Sequence, residues 1–113
     1  MADKHNFTID KGATFSRSII YKDQLGIPID LTGYTARMQI REYYNKPILH
    51  ELNTENGGIV LVPLLGQIIL SISAGVSDAF NVLDFIYDLE LINGANVFRL
   101  IEGKVIVKEN VTK

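Results

Sequence analysis

The chain has 113 residues, 11 Lys and Arg against 13 Asp and Glu, no cysteine, and 47% hydrophobic residues. This length predicts a single domain spanning residues 1–113, and the hydrophobic fraction is too high for a disordered chain. The lack of cysteine excludes disulfides, thiol catalysis and thiolate metal sites, and the net charge of −2 argues against a nucleic-acid surface, which needs clustered Lys and Arg.

Apolar and polar residues alternate along most of the chain, as they do on strands that bury one face. We expect strands at Phe7–Asp10, Phe15–Lys22, a short piece around Ile29, Ala36–Arg41, Ile48–Leu52, Gln67–Ile72, Phe85–Ile92 and Val97–Val107. Glycine and asparagine mark the turns, most clearly in the hairpin joined by Asn93 and Gly94. Short strands at this spacing predict an all-β sandwich of about seven to eight strands.

Two kinds of segment fall outside the strand pattern. Within Ser73–Val82, Ser73 could cap a single helical turn, and the spacing predicts that three apolar residues of this turn face the core. These three residues are Val76, Ala79 and Phe80. The polar ends, Met1–His5 and Glu109–Lys113, are expected to be short arms that are free or ordered by a partner. No apolar stretch has the length of a membrane span, so we expect no membrane contact.

Residues that could carry catalysis are few. His5 lies in the polar N-terminal arm, and His50 lies in a predicted strand without a metal-ligating residue at suitable spacing, so we expect both at the surface. No serine lies in a Gly-x-Ser-x-Gly elbow, and no Gly-rich phosphate loop follows a strand. We therefore expect a non-enzymatic protein that binds no metal and no cofactor.

The densest carboxylates on a predicted strand are Asp88 and Glu90, which point to one face because they are two residues apart. Such a pair could perform acid–base chemistry or bind calcium. Alternatively, it forms a solvated face that pairs with Arg99 or Lys104 across the hairpin, which is the interpretation we favour.

A second polar face is predicted where Arg37, Gln39, Arg41 and Tyr43 alternate along one strand. Arginine interleaved with aromatic residues can stack on single-stranded nucleic acid, but two arginines on an acidic domain support this poorly. Arginine and tyrosine are also enriched in protein–protein interfaces, so a protein partner is the better hypothesis for this face.

Three segments are apolar on both faces of any strand: Ile59–Leu65, Ile68–Leu70 and Val105–Val107. A small sandwich buries only one face of each sheet. Either another chain covers the additional apolar surface, or these strands lie at a corner of the sandwich where loops bury them from both sides.

The order and spacing of several motifs resemble those of small virion proteins of tailed bacteriophages. The similarity includes the N-terminal β-sandwich domain of phage baseplate proteins that attach receptor-binding proteins, and it covers nearly the whole chain. The motifs that carry it are Phe7–Phe15, Pro28–Arg41, Tyr87–Leu91, Arg99–Gly103 and Val111–Lys113.

This resemblance implies an immunoglobulin-like antiparallel β-sandwich that functions in assembly, without catalytic residues. It implies a tight turn at Gly33, core positions for Tyr87 and Leu89, and a bulge or break in the last strand at Gly103. Similar sequences place a glycine shortly before the Tyr-x-Leu strand, and Asn81–Phe85 contains none.

We therefore expect an adaptor at the tail, baseplate or fibre attachment site of a virion that is assembled in the bacterial cytoplasm. Its partners would be other virion proteins or further copies of itself. The candidate interface residues lie on the Arg37 face and on the last strand, and they are Arg37, Gln39, Arg41, Tyr43, Phe98, Leu100, Lys104 and Ile106. A capsid decoration protein is the first alternative. A module that binds the host surface, recognisable by aromatic residues over a carboxylate groove, is the second.

Overall fold

The computed structural model describes residues 3–109, which form two β-sheets packed together. The prediction of an all-β sandwich is confirmed. The described residues contain nine strands and one α-helix. These elements are β1 (Asp3–Lys4), β2 (Phe7–Asp10), β3 (Phe15–Ile20), β4 (Thr35–Arg41), β5 (Ile48–Asn53), β6 (Ile59–Val62), β7 (Gln67–Ile72), α1 (Ala74–Asp78), β8 (Asp84–Asn93) and β9 (Asn96–Lys108).

The large sheet has the order β1-β9-β8-β4-β5, with β2 also paired to β9, and the small sheet has the order β3-β7-β6. The antiparallel prediction fails at one edge, because β1 and β2 run parallel to β9. The core lies between the sheets, where the alternating apolar residues of the strands meet. Burying each of these large side chains contributes roughly 1.5–3 kcal/mol. Examples below 2% exposure are Met38, Ile40, Ile68, Leu70 and Leu89.

The N-terminal segment is part of the sandwich and is not a free arm. Asp3 and Lys4 pair with β9, and the amide of His5 donates to the carbonyl oxygen of Glu102 at 2.9 Å. Phe7 and Ile9 are then buried in the core. The prediction of a polar arm over Met1–His5 is therefore wrong for residues 3–5. The Val111–Lys113 motif and residues 110–113 of the predicted C-terminal arm lie outside the described residues.

The predicted short helix is present as α1. Ser73 caps it by accepting a hydrogen bond from the amide of Val76 at 3.3 Å. The helix ends at Asp78, so Ala79 is exposed, contrary to the prediction that it faces the core. Phe80 is buried and Val76 packs partly buried against the core, as predicted, and Ser77 is buried as well because residues three apart share one side of a helical turn.

The apolar run Ile59–Leu65 does not form one continuous strand. Strand β6 ends at Val62, and Pro63–Leu65 form a 3₁₀ turn that Gly66 closes with a φ of +59°. Val60 is 49% exposed and Leu64 is 77% exposed. Burial by loops at a sandwich corner, one of the two predicted alternatives, is thus contradicted for this run.

Two turns follow the sequence prediction. Gly33 has a φ of +85°, which confirms the tight turn before β4. In the β8–β9 hairpin, Asn93 pairs with Asn96, and Gly94 and Ala95 form the two-residue loop. The φ of +60° at Gly94, without a positive φ at Ala95, is typical of a type II′ turn. Around Ile29 no strand forms, and only an isolated bridge joins Lys22 to Pro28.

Candidate functional site

The solvent-facing side of β4, β8 and β9 carries most of the predicted interface residues. Along β8, Tyr87, Leu89 and Leu91 are buried, so Asp88 and Glu90 point outward. Cross-strand partners point to the same side of a sheet. The register therefore places Arg37 beside Glu90, and Gln39 beside Asp88.

Ion pairs join the charged residues of this face across the strands. The Arg37 guanidinium contacts Glu90 at 2.8 Å, and this hydrogen bond raises the pKa of Arg37. Arg99 lies 3.6 Å from Asp88 and 3.8 Å from Glu102. The predicted pairing of Arg99 with the β8 carboxylates is thus confirmed for Asp88, whereas Glu90 pairs with Arg37 on the other side.

Hydrogen bonds orient the polar residues at the β4–β5 side. Glu51 accepts from the side-chain amides of Gln39 at 2.9 Å and Asn53 at 2.7 Å, and these bonds lower the pKa of Glu51. Gln39 in turn accepts from Arg41 at 3.2 Å, and Arg41 also donates to the carbonyl oxygen of Lys46 at 2.5 Å. Arg41 is thereby held over the turn that joins β4 to β5.

Tyr43 does not share this strand face, contrary to the sequence prediction. Strand β4 ends at Arg41, where the pairing with β5 shifts register, and Tyr43 lies in the following turn with 62% of its surface exposed. Its ring packs edge-on against Tyr44, with 5.4 Å between the centroids. Tyr44 is the aromatic residue that reaches the face.

Part of this face, together with the N-terminal segment, surrounds an open groove of about 480 Å³. Burial, reinforced by the negative charge of Glu90, raises the pKa of Asp88 in this groove, although Arg99 acts in the opposite direction. The largely buried Tyr87 also lines the groove, and burial raises the pKa of its phenol well above the usual value. The lining residues are Lys4, Asn6, Gln39, Arg41, Tyr44, Ile86, Tyr87, Asp88, Arg99, Glu102, Gly103 and Lys104.

The four candidates on β9 do not lie on one face, because a bulge at Leu100 changes the alternation. Glu90 pairs with Arg99 and Leu89 pairs with Ile101, so Leu100 has no partner across the ladder. Before the bulge, Phe98 lies opposite the core residue Leu91, although it is 51% exposed near the end of the sheet. Beyond the bulge, the outward-facing candidates are Lys104 and Ile106.

Gly103 has a different role from the predicted bulge. It pairs regularly with Tyr87 inside the β8–β9 ladder. A Cβ at this position would overlap the carbonyl oxygen of His5, so glycine permits the close approach of the N-terminal segment. The parallel pairing is interrupted here, between β1 and β2, where the amide of Lys104 donates to the Asn6 side chain at 3.0 Å.

The histidines lie apart from the groove. His5 is exposed, whereas His50 is half-buried, with its ring 6.0 Å from that of Phe80, and burial lowers its pKa. A surface position for His50 was the wrong expectation, because its cross-strand partner is the core residue Ile40. Within residues 3–109, no three His, Cys, Asp or Glu side chains lie close enough together to hold a metal ion. Over the same residues, no helix is long and apolar enough to cross a membrane.

In sequence comparisons, no protein-family model and no curated protein matches this chain. The groove and the surfaces of the two sheets are therefore the features from which a function can be inferred. The groove presents fixed charges of both signs, which is an arrangement suited to recognising a polar partner by electrostatic complementarity.

Several groove residues were not among the candidates predicted from the sequence. Glu102 and Lys104 are two apart on a predicted strand, so alternation alone could have placed Glu102 on the same face. Lys4 and Asn6 could not be found this way, because they reach the groove only through the parallel pairing of the N-terminal segment with β9.

Proposed function

We propose that this protein is a structural protein of a tailed-bacteriophage virion, a non-enzymatic adaptor that docks other virion proteins at the tail, baseplate or fibre attachment site. The motifs that resemble those of phage virion proteins support the assignment to a virion. The groove on the large sheet supports docking, because ion pairs of Arg99 with Asp88 and Glu102, and a hydrogen bond from Arg41 to Gln39, hold side chains of its lining on three adjacent strands. A surface organised in this way loses little side-chain freedom when a partner binds.

The observation that carries this proposal is the position of Arg99 and Lys104 at the groove. Arg99 bridges Asp88 and Glu102, and Lys104 lines the same groove. An acidic or polar segment of a neighbouring virion protein could bind Arg99 and Lys104, and so replace the contacts of Arg99 with Asp88 and Glu102. Charged residues at such a position set partner choice and the rate of encounter more than overall affinity.

Charge reversal in the groove tests the proposal. In a phage lysate that lacks the wild-type copy, the variant R99E/K104E should enter particles with about tenfold fewer copies, as measured by quantitative mass spectrometry. The matched control K22E/K108E has the same change in charge outside the groove lining, and it should enter at the wild-type level. Equal incorporation of both variants, or no copies of the wild-type chain in purified particles, would contradict the proposal.

A second candidate function is recognition of host-surface carbohydrate, and one observation favours it. Tyr44 is 73% exposed at the groove that also contains Asp88 and Glu102. An aromatic ring beside carboxylates is the arrangement that binds sugar rings by stacking and by hydrogen bonds to hydroxyl groups. A glycan array probed with the wild-type chain and with Y44A should then show signal that is lost in the variant. The control Y43A should retain it, and an array without wild-type signal would reject this function.

A further inference from the structure

The outer face of the small sheet differs in character from the groove. Strand register places Ser18 beside Ile69 and Ile69 beside Val60, so these residues share the side opposite the core. The bond from the Gln67 side chain to the Ser18 hydroxyl, at 2.7 Å, lies on the same side. Among the described residues, this face carries no charged side chain, and it consists of Ser16, Ser18, Ile20, Val60, Val62, Gln67, Ile69 and Ser71.

The apolar surface continues past one end of this sheet. Ile20, Gln67 and Val62 form the last row of the ladder. The turn after β3 and the 3₁₀ turn after β6 both leave from this row, and the amide of Tyr21 joins them by donating to the carbonyl oxygen of Gly66 at 2.8 Å. Exposed apolar side chains lie on the small-sheet face and on these two turns, with exposed fractions from 49% to 83%. They are Ile20, Leu25, Ile27, Val60, Leu64 and Leu65.

We propose that this face packs against the same face of a second copy of the chain. In a two-fold symmetric contact, each patch packs against the same patch of the other copy. A charged side chain near the axis would therefore lie close to the identical charge of the other copy. The small-sheet face avoids this repulsion because it has no charge. The face of the large sheet, where Arg37, Asp88, Glu90 and Arg99 point outward, is less suited to such a contact.

The size of the face predicts a weak contact. Two strands of six residues and one of four, about 4.8 Å apart and with a rise of about 3.4 Å per residue, cover roughly 260 Å². The flanking leucines enlarge this area, but it stays at the low end of stable interfaces, which bury about 800 Å² on each partner. The proposal deepens the proposed function and rests on it in one respect, since many copies in one particle would supply the high local concentration that a weak contact needs.

Sedimentation equilibrium of the purified chain tests this face without a particle. The weight-average mass of the wild type should rise towards that of a dimer between about 10 μM and about 1 mM. Lysine introduced on the face by I69K, or at the edge strand by V60K, should weaken association at least about tenfold. The control V82K introduces the same charge at a similarly exposed valine in the loop before β8 and should associate like the wild type.

Two outcomes would overturn the proposal. The first is a wild-type chain that stays monomeric over this range, and the second is association that persists in both folded variants. If a monomeric chain still enters particles, the face is covered there by a different protein. Because copies per particle are counted separately, failure of this contact is distinguishable from failure of the virion function.

Discussion

The hydroxyl of Tyr87 donates a 2.6 Å hydrogen bond to the main-chain carbonyl oxygen of His5, 82 residues earlier in the chain. Tyr87 is 4% exposed and belongs to the core of the large sheet. Its ring also packs against Phe7, with 5.1 Å between the centroids. The N-terminal segment is thus attached to the large sheet by a side chain at its centre as well as by pairing with β9.

Replacing Tyr87 by phenylalanine should remove this attachment while keeping the ring. We expect a loss of about 1 kcal/mol in the free energy of unfolding, because the His5 carbonyl loses its side-chain donor. Urea denaturation measures it. The control Y43F alters an exposed tyrosine in a turn and should leave stability unchanged. Equal stability of both variants would show that the hydrogen bond contributes nothing.

Alanine at Gly103 should displace the N-terminal segment. The new Cβ would overlap the His5 carbonyl oxygen and lie 2.9 Å from the Asn6 side chain, and the main chain cannot easily yield. We expect more than about 1 kcal/mol of destabilisation and faster hydrogen exchange at the His5 amide. The control G75A places a Cβ in open space within α1 and should be neutral or slightly stabilising. Unchanged exchange in G103A would contradict the close approach.

Ser77 links α1 to the loop before β3. Its hydroxyl is fully buried, accepts from the Gly12 amide at 3.1 Å and donates to the Ala13 carbonyl oxygen at 2.8 Å. Replacing Ser77 by alanine should leave the Gly12 amide and the Ala13 carbonyl oxygen without this partner, and should lower the free energy of unfolding by about 1–3 kcal/mol. Thermal unfolding compared with the exposed control S16A measures this, and similar midpoints would argue against the structural role of Ser77.

Valine at Gly33 should destabilise the fold through the main chain alone. The φ of +85° is unfavourable for a β-branched residue, whereas a Cβ at this position would meet no atom within 4 Å beyond its chain neighbours. We expect a loss of more than about 1 kcal/mol in G33V, and a smaller loss in G33N because asparagine tolerates positive φ. Identical chemical denaturation of the two variants would contradict the turn geometry.

The carboxyls of Asp88 and Glu51 should change stability with pH in opposite directions. The pKa of Asp88 is raised, chiefly by burial, so the folded state binds the proton more tightly and stability falls as pH rises through this pKa. The free energy of unfolding of D88N, relative to that of the wild type, should therefore increase between about pH 3.5 and about pH 6.5. The increase should be at most about 1 kcal/mol, because the group is partly exposed.

Glu51 provides the matched comparison. Its pKa is lowered by hydrogen bonds from Gln39 and Asn53, so its contribution is present above the unfolded pKa and is lost as pH falls through the folded one. E51Q should be less stable than the wild type near neutral pH and should approach it in acid. Unfolding curves in which both variants show the same sign would contradict the assigned environments.

Local patterns predicted most of the sandwich. Alternation identified the buried faces of β4, β7 and β8, and Gly94 identified the hairpin, because these features depend on neighbouring residues. The parallel pairing of the N-terminal segment could not be predicted in this way, since it joins Phe7 to Val105 across almost the whole chain.

The candidate site was predicted only in part for the same physical reason. Arg37, Gln39 and Arg41 share a face because one strand sets their alternation. The bulge at Leu100 carries no glycine or other local signal, yet it separates Phe98 from Lys104. Alternation along β4 predicted Tyr43 on this face, but the strand ends at Arg41, and Tyr44 lines the groove in place of Tyr43.

A cryo-electron microscopy reconstruction of particles that carry the wild-type chain is the decisive experiment for the proposed virion role. We expect several copies of this sandwich at the tail, baseplate or fibre attachment site, with the groove around Arg99 against another virion protein. Copies on the capsid lattice would support the decoration alternative in its place, and particles without density for the sandwich would contradict the virion role altogether.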